Sequence, residues 1–146
     1  MENFRKRPKG EFMIHANWDQ LYLLTKHWVS DLKFFRDDLK FLNKLIEKYF
    51  IWIDNDESIK EVSRLRSELQ AMRIRCEDLL SKTEKHREQL GVMIEKDSDD
   101  SRIFRLEHEH LEDEITDFVK AFRKNRVKTF KITEYIKDTE DLSGIE

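Results

Sequence analysis

One stripe of apolar residues constrains the fold of this chain more than any other feature of its sequence. It starts at Trp18 and recurs at alternating steps of three and four residues over five heptads, with Thr25 as its only polar member. Such spacing is typical of a long helix that packs along a continuous seam. The full stripe is Trp18, Leu21, Thr25, Trp28, Leu32, Phe35, Leu39, Leu42, Ile46, Tyr49 and Ile53.

A second, less regular stripe runs beside the first and includes Phe34 and Phe41. It widens the apolar face beyond what a two-stranded coiled coil would cover. A helix with so wide a face needs neighbours on two sides, as in a three-helix bundle or an oligomer. We therefore expect this helix to pack inside a bundle and to retain some apolar surface for self-association.

Two further helices are predicted by heptad spacing downstream. The second helix carries Val62, Leu65, Leu69, Met72, Cys76, Leu79, Thr83, His86, Leu90 and Met93 at seam positions. The third carries Phe104, His108, Leu111, Ile115, Phe118 and Phe122, and continues less strictly through Val127, Phe130, Tyr135 and Ile136. Capping boxes are expected at Asn17 with Gln20 and at Ser58 with Glu61.

The segments 54–56 and 97–101 are rich in Asp, Asn and Ser and are read as short connections. Short connections make consecutive helices antiparallel. The sequence thus predicts an all-α fold, an elongated antiparallel three-helix bundle with heptad packing. The bundle spans residues 17–139, and its helices are expected at about 17–53, 57–94 and 99–138.

The remaining residues are expected to form a flexible basic tail at 1–16 and a flexible C-terminus at 140–146. Composition agrees with a helical fold, because 40% of the residues are charged and the chain has only three Gly and one Pro. No apolar run approaches the roughly 20 residues that cross a bilayer, and residues 1–12 lack the apolar core of a secretory signal. We expect a cytoplasmic protein with no membrane partner.

Several polar residues interrupt the apolar seams. In an antiparallel bundle these residues are expected at the same height along the bundle axis. Pairing across the turns places His86 level with His108 and within about one helical turn of His27. Asp31 follows His27 by four residues and shares its helix face. One hypothesis is a metal site in which His27, Asp31, His86 and His108 bind zinc or iron. The other, which we favour, is a buried layer with no cofactor, in which hydrogen bonds join His to Thr and Asp to His and fix the register.

The third helix has a basic run with no acid between Phe118 and Thr133, and Lys40, Lys44, Arg73 and Arg75 are expected nearby. The run is Lys120, Arg123, Lys124, Arg126, Lys128 and Lys131. Such a run can bind a polyanion. Because the net charge is −3 and the aromatic residues follow helical spacing, nucleic acid is not an expected partner. Asp38 is expected to pair with Arg73 or Arg75.

The sequence contains no nucleophile–base pair and no glycine-rich phosphate loop, so it does not predict an enzyme. The single cysteine, Cys76, is expected to pack as a small hydrophobic residue.

Three segments resemble a known family. They are His27-Trp28 with Asp31, Phe35, Asp38 and Phe41-Leu42; Lys85 to Leu90 with Met93; and Glu107-His108 or Glu109-His110 before Leu111. Over residues 18–136 the chain resembles short bacterial three-helix, coiled-coil-like proteins, a family with no assigned activity. The resemblance implies the bundle fold and a bacterial cytoplasmic setting and adds no function.

The function expected from the residues is a non-enzymatic helical bundle that acts through protein–protein contacts or self-association, for example as a homodimer. The alternatives are a metal-binding bundle that uses the His and Asp layer, and polyanion binding by the basic run.

Overall fold

The structure is a computed structural model that describes residues 17–51, 53, 56–96 and 102–145, without the side chains of 56, 95–96 and 135–145. Within these residues there are three helices and no strand. They are α1 (Trp18–Phe50), α2 (Asp56–Lys96) and α3 (Arg102–Ile145). The predicted all-α three-helix fold is confirmed.

The helix bounds differ from the predicted ones mainly at the last helix, because α3 continues to Ile145 rather than ending near 138. The predicted C-terminal segment 140–146 is therefore helical through Ile145. The predicted basic tail at 1–16 and the connection at 97–101 lie outside the described residues.

The first predicted capping box is present at the start of α1. The Oδ1 atom of Asn17 accepts a hydrogen bond from the backbone N–H of Gln20 at 2.8 Å, and the Oε1 atom of Gln20 accepts one from the Asn17 N–H at 2.9 Å. These bonds satisfy two of the backbone donors that every helix start leaves open. The second predicted box does not start α2, because that helix begins two residues before Ser58.

Contacts between side chains fix the directions of the helices. Between α1 and α2, Glu47 pairs with Arg66 at 2.6 Å and Leu32 accepts a hydrogen bond from Cys76, so these helices are antiparallel. Between α2 and α3, Lys82 lies 3.3 Å from Glu114 and Glu68 lies 3.7 Å from Lys128, which is again antiparallel. The helices α1 and α3 run parallel, since Trp18 contacts Phe104 and Phe41 contacts Phe130.

The predicted seams of α1 and α2 form the core. Most seam residues of both helices are buried, and Trp28, Leu32, Leu69 and Leu79 are among the largest side chains shielded almost completely from solvent. The seam of α3 is buried from Phe104 to Phe122 and then follows Asn125, Thr129 and Ile132. Val127, which we expected near the core, is 54% exposed. It lies two residues after Asn125 and two before Thr129, and is therefore on the opposite side of the helix from these buried residues.

The core is not continuous. The large apolar cluster extends through most of the bundle and includes Trp28 and Leu80 at one edge. A smaller cluster of Leu21, Leu90 and Phe104 lies toward the start of α1. The boundary between the clusters is a set of buried polar residues, described in the next section. Among the described residues, no helix has an apolar stretch long enough to cross a membrane.

Candidate functional site

Two histidines meet in the bundle core, at the level that the antiparallel pairing predicts. The Nε2 atom of His86 on α2 lies 2.8 Å from the Nδ1 atom of His108 on α3, so one nitrogen carries the hydrogen and the other accepts it. His108 is fully buried, and His86 is 5% exposed. The predicted proximity of His86 and His108 is confirmed.

Aromatic rings enclose this pair on both sides. The ring of Phe104 stacks on His86 with a centroid distance of 4.4 Å and an interplanar angle of 5°. The indole of Trp28 stacks on His108 at 4.7 Å and 28°. The two imidazoles thus lie between aromatic rings, in an apolar environment in which a charged imidazole would be poorly solvated.

This environment keeps both imidazoles neutral. Burial lowers the pKa of His86 from 6.5 to about 4. Burial also lowers the pKa of His108 to about 3, and repulsion from His86 and from Arg105 adds to this effect. At neutral pH the pair is therefore uncharged, held by a hydrogen bond between neutral rings.

Thr25 and Thr83 are both fully buried. Thr25 precedes His27 by two residues, and Thr83 precedes His86 by three. Their hydroxyls donate to the carbonyl oxygens one turn earlier in their own helices, Leu21 at 2.7 Å and Leu79 at 2.6 Å. Their hydroxyl hydrogens are thus used within the helices, rather than in the Thr–His hydrogen bonds that we expected. Threonine in this arrangement tolerates burial without a partner on another helix.

Acidic side chains are buried one turn from the histidines. Asp31 on α1 is 9% exposed, and Glu112, four residues after His108 on α3, is fully buried. Glu112 was not among the predicted site residues. Glu112 is not at a seam position, since the seam residue is its neighbour Leu111. The one sequence feature that could have indicated its place in the site is its spacing of four residues from His108, which puts both on one face of the helix.

The four residues of the predicted metal site occupy different environments. His86 and His108 are in contact and Asp31 is buried, whereas His27 is only half-buried. Among the described residues, no group of three or more His, Cys, Asp or Glu side chains is arranged to hold a metal ion. The zinc or iron site stays a prediction, and the hydrogen-bonded pair is what the geometry shows.

This polar layer has an energetic cost. Within the described part of the chain, the Nε2 atom of His108 and the Nε1 atom of Trp28 are buried without a hydrogen-bond partner. Each such group costs about 1–3 kcal/mol relative to a satisfied one. A polar layer retained at this cost is typical of a device that selects one register of packing over its neighbours.

The six basic residues predicted for polyanion binding are all exposed on α3; they are Lys120, Arg123, Lys124, Arg126, Lys128 and Lys131. Arg126 and Lys128 pair with acids on other helices. Arg126 lies 3.0 Å from Asp38, and Lys128 lies 3.7 Å from Glu68. The expected pairing of Asp38 with Arg73 or Arg75 is wrong, because the contact is across the parallel α1–α3 interface.

Of the other basic residues expected near this run, three lie elsewhere, and only Arg75 lies against α3. Lys40, Lys44 and Arg73 line a groove between α1 and α2, together with Lys48. The Arg75 guanidinium lies 5.9 Å from the Phe118 ring centroid. Positive charge thus spreads around the bundle instead of forming one strip along α3.

No protein-family model, curated protein or solved structure matches this chain.

Cys76 lies next to the centre of the bundle and is expected to be inert. Its Sγ atom donates to the carbonyl oxygen of Leu32 at 3.4 Å, and the side chain is fully buried. Burial is the main cause that raises the pKa of this thiol to about 12. Because the thiolate is the reactive form, we expect the native protein to react with an aromatic disulfide reagent about a thousandfold more slowly than the urea-unfolded protein.

The variant Ile103→Cys, in which the native Cys76 is kept, is the internal control, because Ile103 is 72% exposed and lies outside the α1 helix. The cysteine introduced at this exposed position should react at the rate of a free thiol, in the same tube in which Cys76 does not. If both thiols react at similar rates in the folded variant, the burial of Cys76 is not maintained in solution.

Proposed function

We propose that this protein is a non-enzymatic helical bundle that works through protein–protein contact at one side of α1. The observation that carries the proposal is a line of apolar side chains that the bundle leaves open to solvent. Leu23 is 55% exposed, Phe34 is 63% exposed and Phe41 is 50% exposed. With the half-buried Leu45, we call these residues the outer strip of α1.

The outer strip is a narrow line on the helix. Its members are spaced seven or eleven residues apart, or four at the end, so they lie within about 40° of one another around the helix axis. Isolated exposed apolar residues are common and need no explanation. Here they repeat along one line of a helix that already buries its seam residues in the core.

Two properties of the strip support a role in binding. Aromatic side chains are enriched at protein interfaces, where they supply apolar area with little conformational entropy to lose. Phe34 and Phe41 also contact rings inside the bundle, Phe35 at 5.8 Å and Phe130 at 6.4 Å, which restricts their motion. An exposed aromatic ring that is already held in place loses less freedom on binding.

We assign the histidine layer a structural role within this function, that of setting the register in which α3 docks on α1 and α2. The separation of the core into two apolar clusters at this layer supports the assignment. We also propose a cytoplasmic setting, which is supported by the single buried free thiol.

Site-specific photocrosslinking tests the proposed surface. A photoreactive phenylalanine analogue placed at position 34 or 41 of the full chain, in living cells, should give discrete crosslinked products. The matched control is position 74, because Ile74 on α2 is 69% exposed, a fraction close to that of Phe34. The proposal fails if positions 34 and 41 give no more product than position 74.

A further inference from the structure

Charge is distributed unevenly along the bundle axis. We define a basic half, near the α1–α2 connection, and an acidic half, near the start of α1. The basic half carries fifteen Lys and Arg against seven Asp and Glu, and the acidic half carries seven against twelve. The basic half comprises 36–50, 57–76 and 118–134, and the acidic half comprises 18–35, 77–94 and 102–117.

Helix α3 shows the contrast most clearly. All six of its acids between 102 and 117 precede all six bases between 120 and 131. Asp117 and Lys124 are both exposed and lie seven residues apart, on one face of the helix. The neighbouring Glu114 and Lys128 pair with Lys82 and Glu68 of α2, so this face of α3 lies on the α2 side of the bundle. On α1 itself, the exposed Asp19 lies four residues before Leu23 and the exposed Lys48 lies seven residues after Phe41, so these two charges flank the ends of the outer strip.

The outer strip is symmetric about its centre. Phe34 is the middle residue of α1, which runs from Trp18 to Phe50. Leu23 and Leu45 lie eleven residues before and after it, and His27 and Phe41 lie seven residues before and after it. If a second α1 is laid antiparallel on the first with its centre at Phe34, Leu23 faces Leu45 and Phe34 faces Phe34.

We propose that the outer strip of α1 binds a second copy of this chain, in an antiparallel dimer whose two-fold axis passes near Phe34. The inference rests on the proposed function and names its partner. In this arrangement the basic half of each copy lies against the acidic half of the other, which attracts the chains and sets their direction. A parallel pair would place like charges together along the whole length and is disfavoured for that reason.

Disulfide trapping in purified full-length protein tests the direction. The variant Phe34→Cys should form a disulfide-linked dimer with itself. The variants Leu23→Cys and Leu45→Cys should each form little linked dimer alone and about tenfold more when they are mixed. The native Cys76 is buried and stays out of the reaction. If Leu23→Cys alone links as well as the mixture does, the antiparallel arrangement is wrong.

Charge reversal tests the complementarity. Asp19 and Lys48 lie 15 residues before and 14 residues after Phe34, so each faces the other across the antiparallel dimer. Asp19→Lys places a lysine opposite Lys48 of the second copy, and Lys48→Glu places a glutamate opposite Asp19. Each variant has two such contacts per dimer, so we expect its dissociation constant at low salt to rise roughly tenfold. In an equimolar mixture the mixed dimer has opposite-charge contacts only, and its dissociation constant should return to within about twofold of that of the unmodified chain.

The outcomes separate this inference from the proposed function. Recovery in the mixture, measured by sedimentation equilibrium, supports the antiparallel dimer, and a mixture as weak as the separate variants overturns it. If the purified chain stays monomeric at high concentration while position 34 crosslinks to a different protein in cells, the dimer is overturned and the proposed function stands. If neither occurs, both fail.

Discussion

Lowering the pH from 7 to 5 should reduce the free energy of unfolding by about 4 kcal/mol through His86 and His108 alone. In the folded protein the pKa of His86 is lowered to about 4 and that of His108 to about 3, whereas both return to about 6.5 on unfolding. Between pH 6.5 and 4 the unfolded chain therefore binds up to two more protons than the folded one. Protons favour the unfolded state over this range, so the stabilisation present above pH 6.5 is lost as the pH falls.

Urea unfolding at pH 7, 6 and 5 measures this loss. The double variant His86→Leu/His108→Leu replaces both partners with apolar residues, so no buried group loses its hydrogen bond and the pH-dependent loss should largely disappear. His110→Gln is the matched control, because His110 lies on the same helix and is exposed. Equal slopes of unfolding free energy against pH in the unmodified chain and the double variant would show that the pair does not titrate on unfolding.

Replacing Phe118 with alanine should destabilise the fold by about 3–5 kcal/mol. Phe118 is fully buried and packs against Phe35 and Phe122, with ring centroids at 6.1 and 6.3 Å. The substitution removes a large apolar surface and leaves a cavity where α3 meets α1, and close-packed neighbours refill such a space only partly.

The control for this prediction has the same chemistry at an exposed position. Phe34→Ala should change the free energy of unfolding by no more than about 0.5 kcal/mol, because the Phe34 side chain is 63% exposed. Thermal or urea unfolding of the two variants at low protein concentration gives the comparison. If Phe118→Ala costs less than about 1 kcal/mol, α3 is not packed through this residue as described.

The sequence predicts the fold well because heptad spacing records which side of each helix is buried. Seam residues such as Leu32 on α1 and Leu69 on α2 are buried where the spacing places them. The start of α1 is also confirmed, since the Asn17 capping box is a local signal that needs no tertiary information. Local chemistry and periodicity together fix element type and order.

Heptad spacing does not fix how far burial extends around each helix. Val127 and Glu112 both depart from what their side chains suggest, because the apolar Val127 is exposed and the carboxylate of Glu112 is fully buried. The side to which a flanking residue turns depends on how the third helix is placed across the other two. For the same reason Asp38 meets Arg126 on the parallel helix rather than an arginine of α2.

The candidate site was predicted in part. Because antiparallel helices pair residues at a fixed sum of positions, the contact between His86 and His108 follows from the positions of the turns. The contribution of each threonine does not follow, since a hydroxyl can bond within its own helix or across to another. Nor does spacing show that Trp28 and Phe104 stack on the two imidazoles, because ring orientation depends on packing in three dimensions.

The uneven distribution of charge along the bundle has a physical consequence in an electric field. A single chain with opposite net charges in its two halves has a permanent electric dipole along its long axis, and it turns toward the field direction. In the antiparallel dimer the two dipoles oppose each other and nearly cancel. Transient electric birefringence at low salt should therefore detect a strong orienting response that weakens as protein concentration rises, which makes association visible without a label.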